Sequence, residues 1–155
     1  MPTTPGMARI VVIEDDQAIS MLLRVIFENA GHEVLVADDG SRGVAMATRR
    51  SPDAIILDVM MPFMDGFAVL EALREDERTA KVPVMMLSAI QKEAVEERCY
   101  RLGAQVFVRK PFDSEMLLGT LEEMLAAPPP VKTEQDARQP RELPLSVLLA
   151  WRGGT

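Results

Sequence analysis

Five short apolar runs constrain this chain more than any other feature: Ile10–Ile13, Val34–Ala37, Ala54–Leu57, Val82–Leu87 and Val106–Val108. Each is rich in Val, Ile, Leu or Met, with little alternation of apolar and polar residues. A strand with one wet face alternates, whereas a strand covered on both faces does not. Runs of this kind therefore predict strands of a parallel sheet.

Helical patterns lie between the runs. Ile19, Leu22, Leu23 and Ile26 recur at spacings of three and four and predict one apolar face, with Gly31 as the stop. Gly40-Ser41 opens a second helix with Val44 and Ala47 inward, and Gly66 precedes a third with Phe67, Leu70 and Leu73. Lys92 to Leu102 reads as a fourth, burying Val95, Cys99 and Leu102. Asp113 or Ser114 caps a fifth, with Leu117, Leu121 and Met124 inward. Strand and helix thus alternate five times. The expected class is α/β, a doubly wound five-stranded parallel sheet with helices on both faces and right-handed crossovers. In such sheets ligands bind beyond the carboxyl ends of the strands, at the switch point.

The strand ends carry the chemistry. The first run is followed by Glu14-Asp15-Asp16, the third by Asp58, the fourth by Ser88 and the fifth, closely, by Lys110-Pro111. Carboxylates brought together repel unless a cation joins them. Mg²⁺ prefers oxygen ligands and keeps several waters. Asp15 and Asp58 offer carboxylate oxygens, Glu14 can act through a water, and the backbone carbonyl of Met60 can complete the protein ligands. Mn²⁺ is an alternative with the same ligand chemistry. Lys110 brings a compact positive charge and Ser88 a small hydroxyl, both suited to phosphoryl oxygens. A carboxylate such as Asp58 can attack phosphorus to give an aspartyl phosphate.

Composition narrows the alternatives. The net charge of −7 argues against nucleic acid and anionic membranes as direct partners. One cysteine, Cys99, excludes an internal disulfide and a cysteine metal cluster, and one histidine, His32, excludes a histidine-rich metal site. The N-terminal MPTTPGMARI has no long apolar stretch and no apolar run reaches membrane-spanning length. The expected compartment is the cytoplasm.

The motifs VVIEDD, ILDVMMPFMDG, Ser88 and Lys110-Pro111, in this order and spacing, resemble the receiver domain of two-component response regulators, over about Ala8 to Ala126. The resemblance implies a flavodoxin-like strand order of 2-1-3-4-5 and a function in a phosphorelay. By resemblance, Asp58 is the phosphoacceptor, Glu14 and Asp15 are the acidic pair around Mg²⁺, and Ser88 and Lys110 contact the phosphoryl group. Phe107 stands at the position of the family's Tyr or Phe switch, the Lys110-Pro111 bond is cis, and Pro62 and Gly66 shape the loop after Asp58. Asp16 holds a position variable in the family and is not counted as a ligand. Such a domain catalyses its own phosphorylation and slow dephosphorylation without being a conventional enzyme. Its partners are a sensor histidine kinase or phosphotransfer protein upstream and an unknown protein downstream, read through the surface of helix 4, strand 5 and helix 5.

Structural roles are expected for other residues. Asp38-Asp39-Gly40 has turn chemistry, His32 reads as a surface residue in a turn, and Cys99 as core. The methionines at 60, 61, 64, 85 and 86 read as packing. Core filling is a serious rival role for Phe107, and a helix cap for Ser88. The domain is expected to span 8–127. Residues 128–155 form a Pro-rich linker and a short apolar tail, LPLSVLLAW, with no recognisable output domain. The whole is expected to resemble a stand-alone, chemotaxis-type receiver, with a homodimer left open. The rival reading is a phospho-independent interaction module of the same shape. A nucleotide binder would need a Gly-rich loop after the first strand, where this chain has Glu14-Asp15-Asp16-Gln17.

Overall fold

Each apolar run becomes a strand and each amphipathic stretch a helix. The computed structural model describes residues 7–126; the expected linker and tail lie outside the described residues. The order is β1 (Arg9–Ile13), α1 (Gln17–Asn29), β2 (Glu33–Ala37), α2 (Gly40–Arg50), β3 (Ala54–Asp58), α3 (Gly66–Glu75), β4 (Val84–Ser88), α4 (Glu93–Arg101), β5 (Val106–Arg109) and α5 (Ser114–Ala126). The strands form one sheet in the order β2-β1-β3-β4-β5. Every pairing is parallel; Val11, for example, stands between Leu35 and Ile55.

The lack of alternation has its expected cause: both faces are covered. Ile10 and Val12 of β1 point into a core shared with Leu23 and Phe27 of α1 and Leu117 and Leu121 of α5. Val11 and Ile13 point the other way, into a core with Ala47 of α2, Leu70 and Leu73 of α3 and Cys99 of α4. β3 is buried along its whole length. Among the described residues no helix is long and apolar enough to cross a membrane.

Aspartates start α1, α2, α3 and α5, whereas α4 follows Lys92 without a side-chain cap. Asp16 accepts the N–H groups of Ala18 and Ile19, Asp39 that of Arg42, Asp65 that of Ala68 and Asp113 that of Met116. Each satisfies donors that the first turn leaves without partners. After α1, Gly31 adopts a φ of +94°, the left-handed conformation common just past a helix end.

Several local expectations change. β4 begins at Val84 and not Val82, because Pro83 has no N–H to offer the ladder, although its carbonyl accepts from Ile55 N–H. α4 begins at Glu93, with Val95 and Leu102 only half-buried. In α2, Val44 is half-buried and Gly43 takes the tightest place: a Cβ there would lie 2.6 Å from Ile13 Cδ1. His32 is not a surface residue. It is 4% exposed, and its Nδ1 accepts the Ala8 N–H at 3.1 Å. Leu22, expected on the inner face of α1, is 48% exposed. The apolar arc of α1 is wider than the sheet it covers.

At the opposite end of the sheet from the acidic residues, Arg74 of α3 is buried. Its guanidinium donates to the carbonyls of Thr79, Val82 and Gly103 and to Gln105 Oε1. One side chain therefore ties α3 to the segments entering β4 and β5.

Candidate functional site

The switch point lies between β1 and β3, since the chain leaves β1 towards β2 on one side and later returns to β3 on the other. Glu14 and Asp15 directly follow β1, and Asp58 is the last residue of β3. Parallel pairing in register sets these ends side by side. One carboxylate oxygen from each of the three lies within 4.8 Å of the others. Glu14 and Asp58 are buried, while Asp15 is exposed at the rim.

Lys110 arrives from the residue after β5. Its Nζ stands 3.1 Å from Glu14 Oε1 and 3.3 Å from Asp58 Oδ1. Its backbone N–H donates to Ser88 O, and the Lys110-Pro111 peptide is cis. Ser88, buried at the end of β4, accepts the Ile90 N–H on its hydroxyl oxygen at 2.9 Å, which leaves the hydroxyl proton to donate.

Three carboxylates face one ammonium, and the imbalance falls on Glu14. Burial pushes its carboxyl up to about 8, and the hydrogen bond to Asp58 and that group's charge push the same way, while Lys110 pulls down. Its Oε2 is buried and has no hydrogen-bond partner. An orphaned carboxylate oxygen beside two further carboxylates is the donor set of a hard divalent cation, whose charge would relieve the repulsion. The residues therefore fit a Mg²⁺ site.

The loop after β3 frames the site. Met60 N–H donates to Asp58 Oδ1 at 3.3 Å, and its side chain is 59% exposed, so of the methionines expected as packing this one is not. Met61, Met85 and Met86 are buried. Pro62 O accepts from Met64 N–H, and Gly66 N–H donates to Val59 O. A Cβ on Gly66 would lie 2.7 Å from Val59 Cα and run into the Asp58 carbonyl. Between them Phe63 is fully exposed at φ +70°. Phe107 is buried in the core beneath α3 and α4, three residues before Lys110.

Two features lie outside the expectations from sequence: Asp65 as the start of α3 and Phe63 as an exposed residue at positive φ. The first had a signal, an Asp directly before an apolar helical pattern. The second had none, since positive φ is uncommon for a bulky residue. Asp16, left out of the ligand set, is engaged in capping α1.

Comparison with known proteins agrees with this geometry. Residues 10–122 match the response regulator receiver domain family. The chain is 44% identical over 119 residues to the DNA-binding dual master transcriptional regulator RpaA of Synechocystis, covering 77% of this chain and 49% of RpaA. It is 35% identical over 120 residues to protein PilH of Pseudomonas aeruginosa, covering 77% of this chain and 99% of PilH. It thus spans about half the length of RpaA and nearly all of PilH. Among solved structures, the receiver domain of the sensor histidine kinase PA1611 of Pseudomonas aeruginosa superposes with a TM-score of 0.73 at 26% identity, over 77% of this chain and 98% of that one. That structure carries a magnesium ion coordinated in its active-site cleft. With its fold, its matched residues and its acidic pocket, the chain belongs to the response regulator receiver domain family of two-component systems.

Proposed function

We propose that this receiver domain takes a phosphoryl group onto Asp58 from a sensor histidine kinase or a phosphotransfer protein. The observation that carries the reading is the convergence of the Glu14, Asp15 and Asp58 carboxylates beside Lys110 Nζ. An Asp58 oxygen attacks phosphorus, forming an acyl phosphate, while the bond from phosphorus to the donor's imidazole nitrogen breaks and that nitrogen regains a proton. Lys110 offsets charge on the phosphoryl oxygens, and the Ser88 hydroxyl, with its proton free, donates to one of them.

Asp15, Asp58 and the Met60 carbonyl would hold Mg²⁺ directly, with Glu14 acting through a water. The bound ion supplies positive charge to the phosphoryl oxygens during transfer. The magnesium in the PA1611 receiver supports this assignment.

In the unmodified domain Lys110 is shared between Glu14 and Asp58. A phosphoryl group adds charge and acceptor oxygens and draws Lys110 and Ser88 towards itself. Phe107, buried beside β4, repacks into the space this opens, and the surface of α4, β5 and α5 changes for a downstream protein. Residues 8–127 form the receiver unit in this reading, acting in the cytoplasm, and 128–155 a linker and tail.

The test is intact mass after incubation with Mg²⁺ and acetyl phosphate. Wild type is expected to gain one phosphoryl group, and Asp58→Asn none. Absence of a gain in folded wild type would reject the phosphoacceptor role and favour a phospho-independent interaction module.

A further inference from the structure

α1 has an apolar stripe that the sheet does not use. Leu23, Ile26 and Phe27 are buried, yet Met21, Leu22 and Val25 remain 67%, 48% and 53% exposed. With exposed Ala18 they stand at i, i+3, i+4 and i+7, one continuous band along the outside of the helix. The other large exposed hydrophobics among the described residues are Met7, Met60 and Phe63, all outside helices. The charges of α1 lie beside the band and are paired with each other, Arg24 Nε to Glu28 Oε1 at 3.5 Å. The band itself is uncharged. Contiguous exposed apolar surface is where a soluble protein gains by covering itself.

We propose that this stripe is the seat of the chain's own segment Leu143–Trp151, LPLSVLLAW. Position comes first: α5, where the described chain ends at Ala126, shares a core with α1, so residue 127 starts out from the helix next to the stripe. Neighbouring packed helices stand about 8–10 Å apart. The intervening residues 127–142 are Pro-rich and polar, with an end-to-end reach of roughly 20 Å, enough to cross from α5 to the outer side of α1. Chemistry comes second: LPLSVLLAW carries no charged residue and ends in the chain's one tryptophan, so an uncharged apolar band meets an uncharged apolar segment. The tethered segment acts at an effective concentration in the millimolar range. Another protein reaches α1 only by displacing it. This holds whether or not Asp58 is phosphorylated.

Because Trp151 is the one tryptophan, its fluorescence reads this segment alone. The experiment compares full-length wild type with Leu22→Asp/Val25→Asp and, as a milder lesion, Met21→Lys. Circular dichroism checks the fold of each. Wild type is expected to show blue-shifted emission and weak acrylamide quenching, unchanged across a hundredfold dilution. Both variants are expected to shift to the red and to quench several-fold more while keeping their circular dichroism. Wild-type emission already typical of water-exposed tryptophan would overturn the proposal. So would blue emission indifferent to both variants, which puts the segment elsewhere, and blue emission lost on dilution, which puts it on a second copy.

Discussion

Lys110 grips Glu14 as closely as it approaches Asp58: the Nζ to Glu14 Oε1 distance is 3.1 Å, against 3.3 Å to Asp58 Oδ1. The Glu14 side chain therefore helps set where Lys110 rests, besides being a candidate metal ligand.

The elevated Glu14 carboxyl sets a pH dependence for the metal-free protein. It titrates near 8 when folded and near 4.5 when unfolded. Between those values the folded state holds a proton that the unfolded state lacks, so stability falls as pH rises through the window and levels off above it. Urea unfolding in chelator from about pH 5 to about pH 9 should show this decline, by an amount of the order of a few kcal/mol. Glu14→Gln should flatten it. Saturating Mg²⁺ should raise the wild-type midpoint most at the alkaline end, and Asp15→Asn should remove most of that gain.

Met60 presents an apolar, exposed side chain two residues after Asp58. Thioether and methylenes cannot orient an attacking water. The aspartyl phosphate should therefore last longer in wild type than in Met60→Asn, by roughly the tenfold that one lost positioning contact of about 1.4 kcal/mol implies. Phosphate release after removal of the donor measures it, and equal lifetimes would contradict the claim.

Gly66→Ala should be costly at two levels. The new Cβ meets backbone on β3 and the residue after it, which cannot swing aside as a flexible side chain would. A loss of about 1–3 kcal/mol is expected from overpacking. Phosphorylation by acetyl phosphate should slow as well, because the atoms displaced belong to Asp58 and Val59.

At the far end of the sheet, Arg74→Ala should destabilise by roughly 3 kcal/mol or more, since it removes the donor from several largely buried carbonyls at once. Urea unfolding of the variant measures this, and a loss below about 1 kcal/mol would show that water replaces the guanidinium.

The parts that sequence made legible are those governed by local pattern. Continuous apolar runs gave strand identity because coverage on both faces leaves no polar side to write. Helix starts are readable from Asp113 and, by the same local rule, from Asp16, Asp39 and Asp65, because capping reaches only two or three residues. The strand-end residues Glu14, Asp15, Asp58 and Lys110 do converge, since a parallel sheet in register has one carboxyl edge. What escaped depends on distant partners. His32 is buried by a bond to Ala8. Arg74 is buried by carbonyls as far away as Gly103. The width of the α1 arc left Leu22 outside, and periodicity alone does not tell how much of an arc a neighbour covers.

The bond between Glu14 and Lys110 joins residues 96 apart in sequence. In an all-parallel sheet no strand pairs with its neighbour through a short hairpin, so every pairing closes a long loop. A chain emerging from the ribosome has its acidic cluster in hand once β3 is made, but the ammonium that balances it comes from the residue following the last strand. The charge balance of the acidic cluster thus waits on β5, the last strand of the sheet to be made.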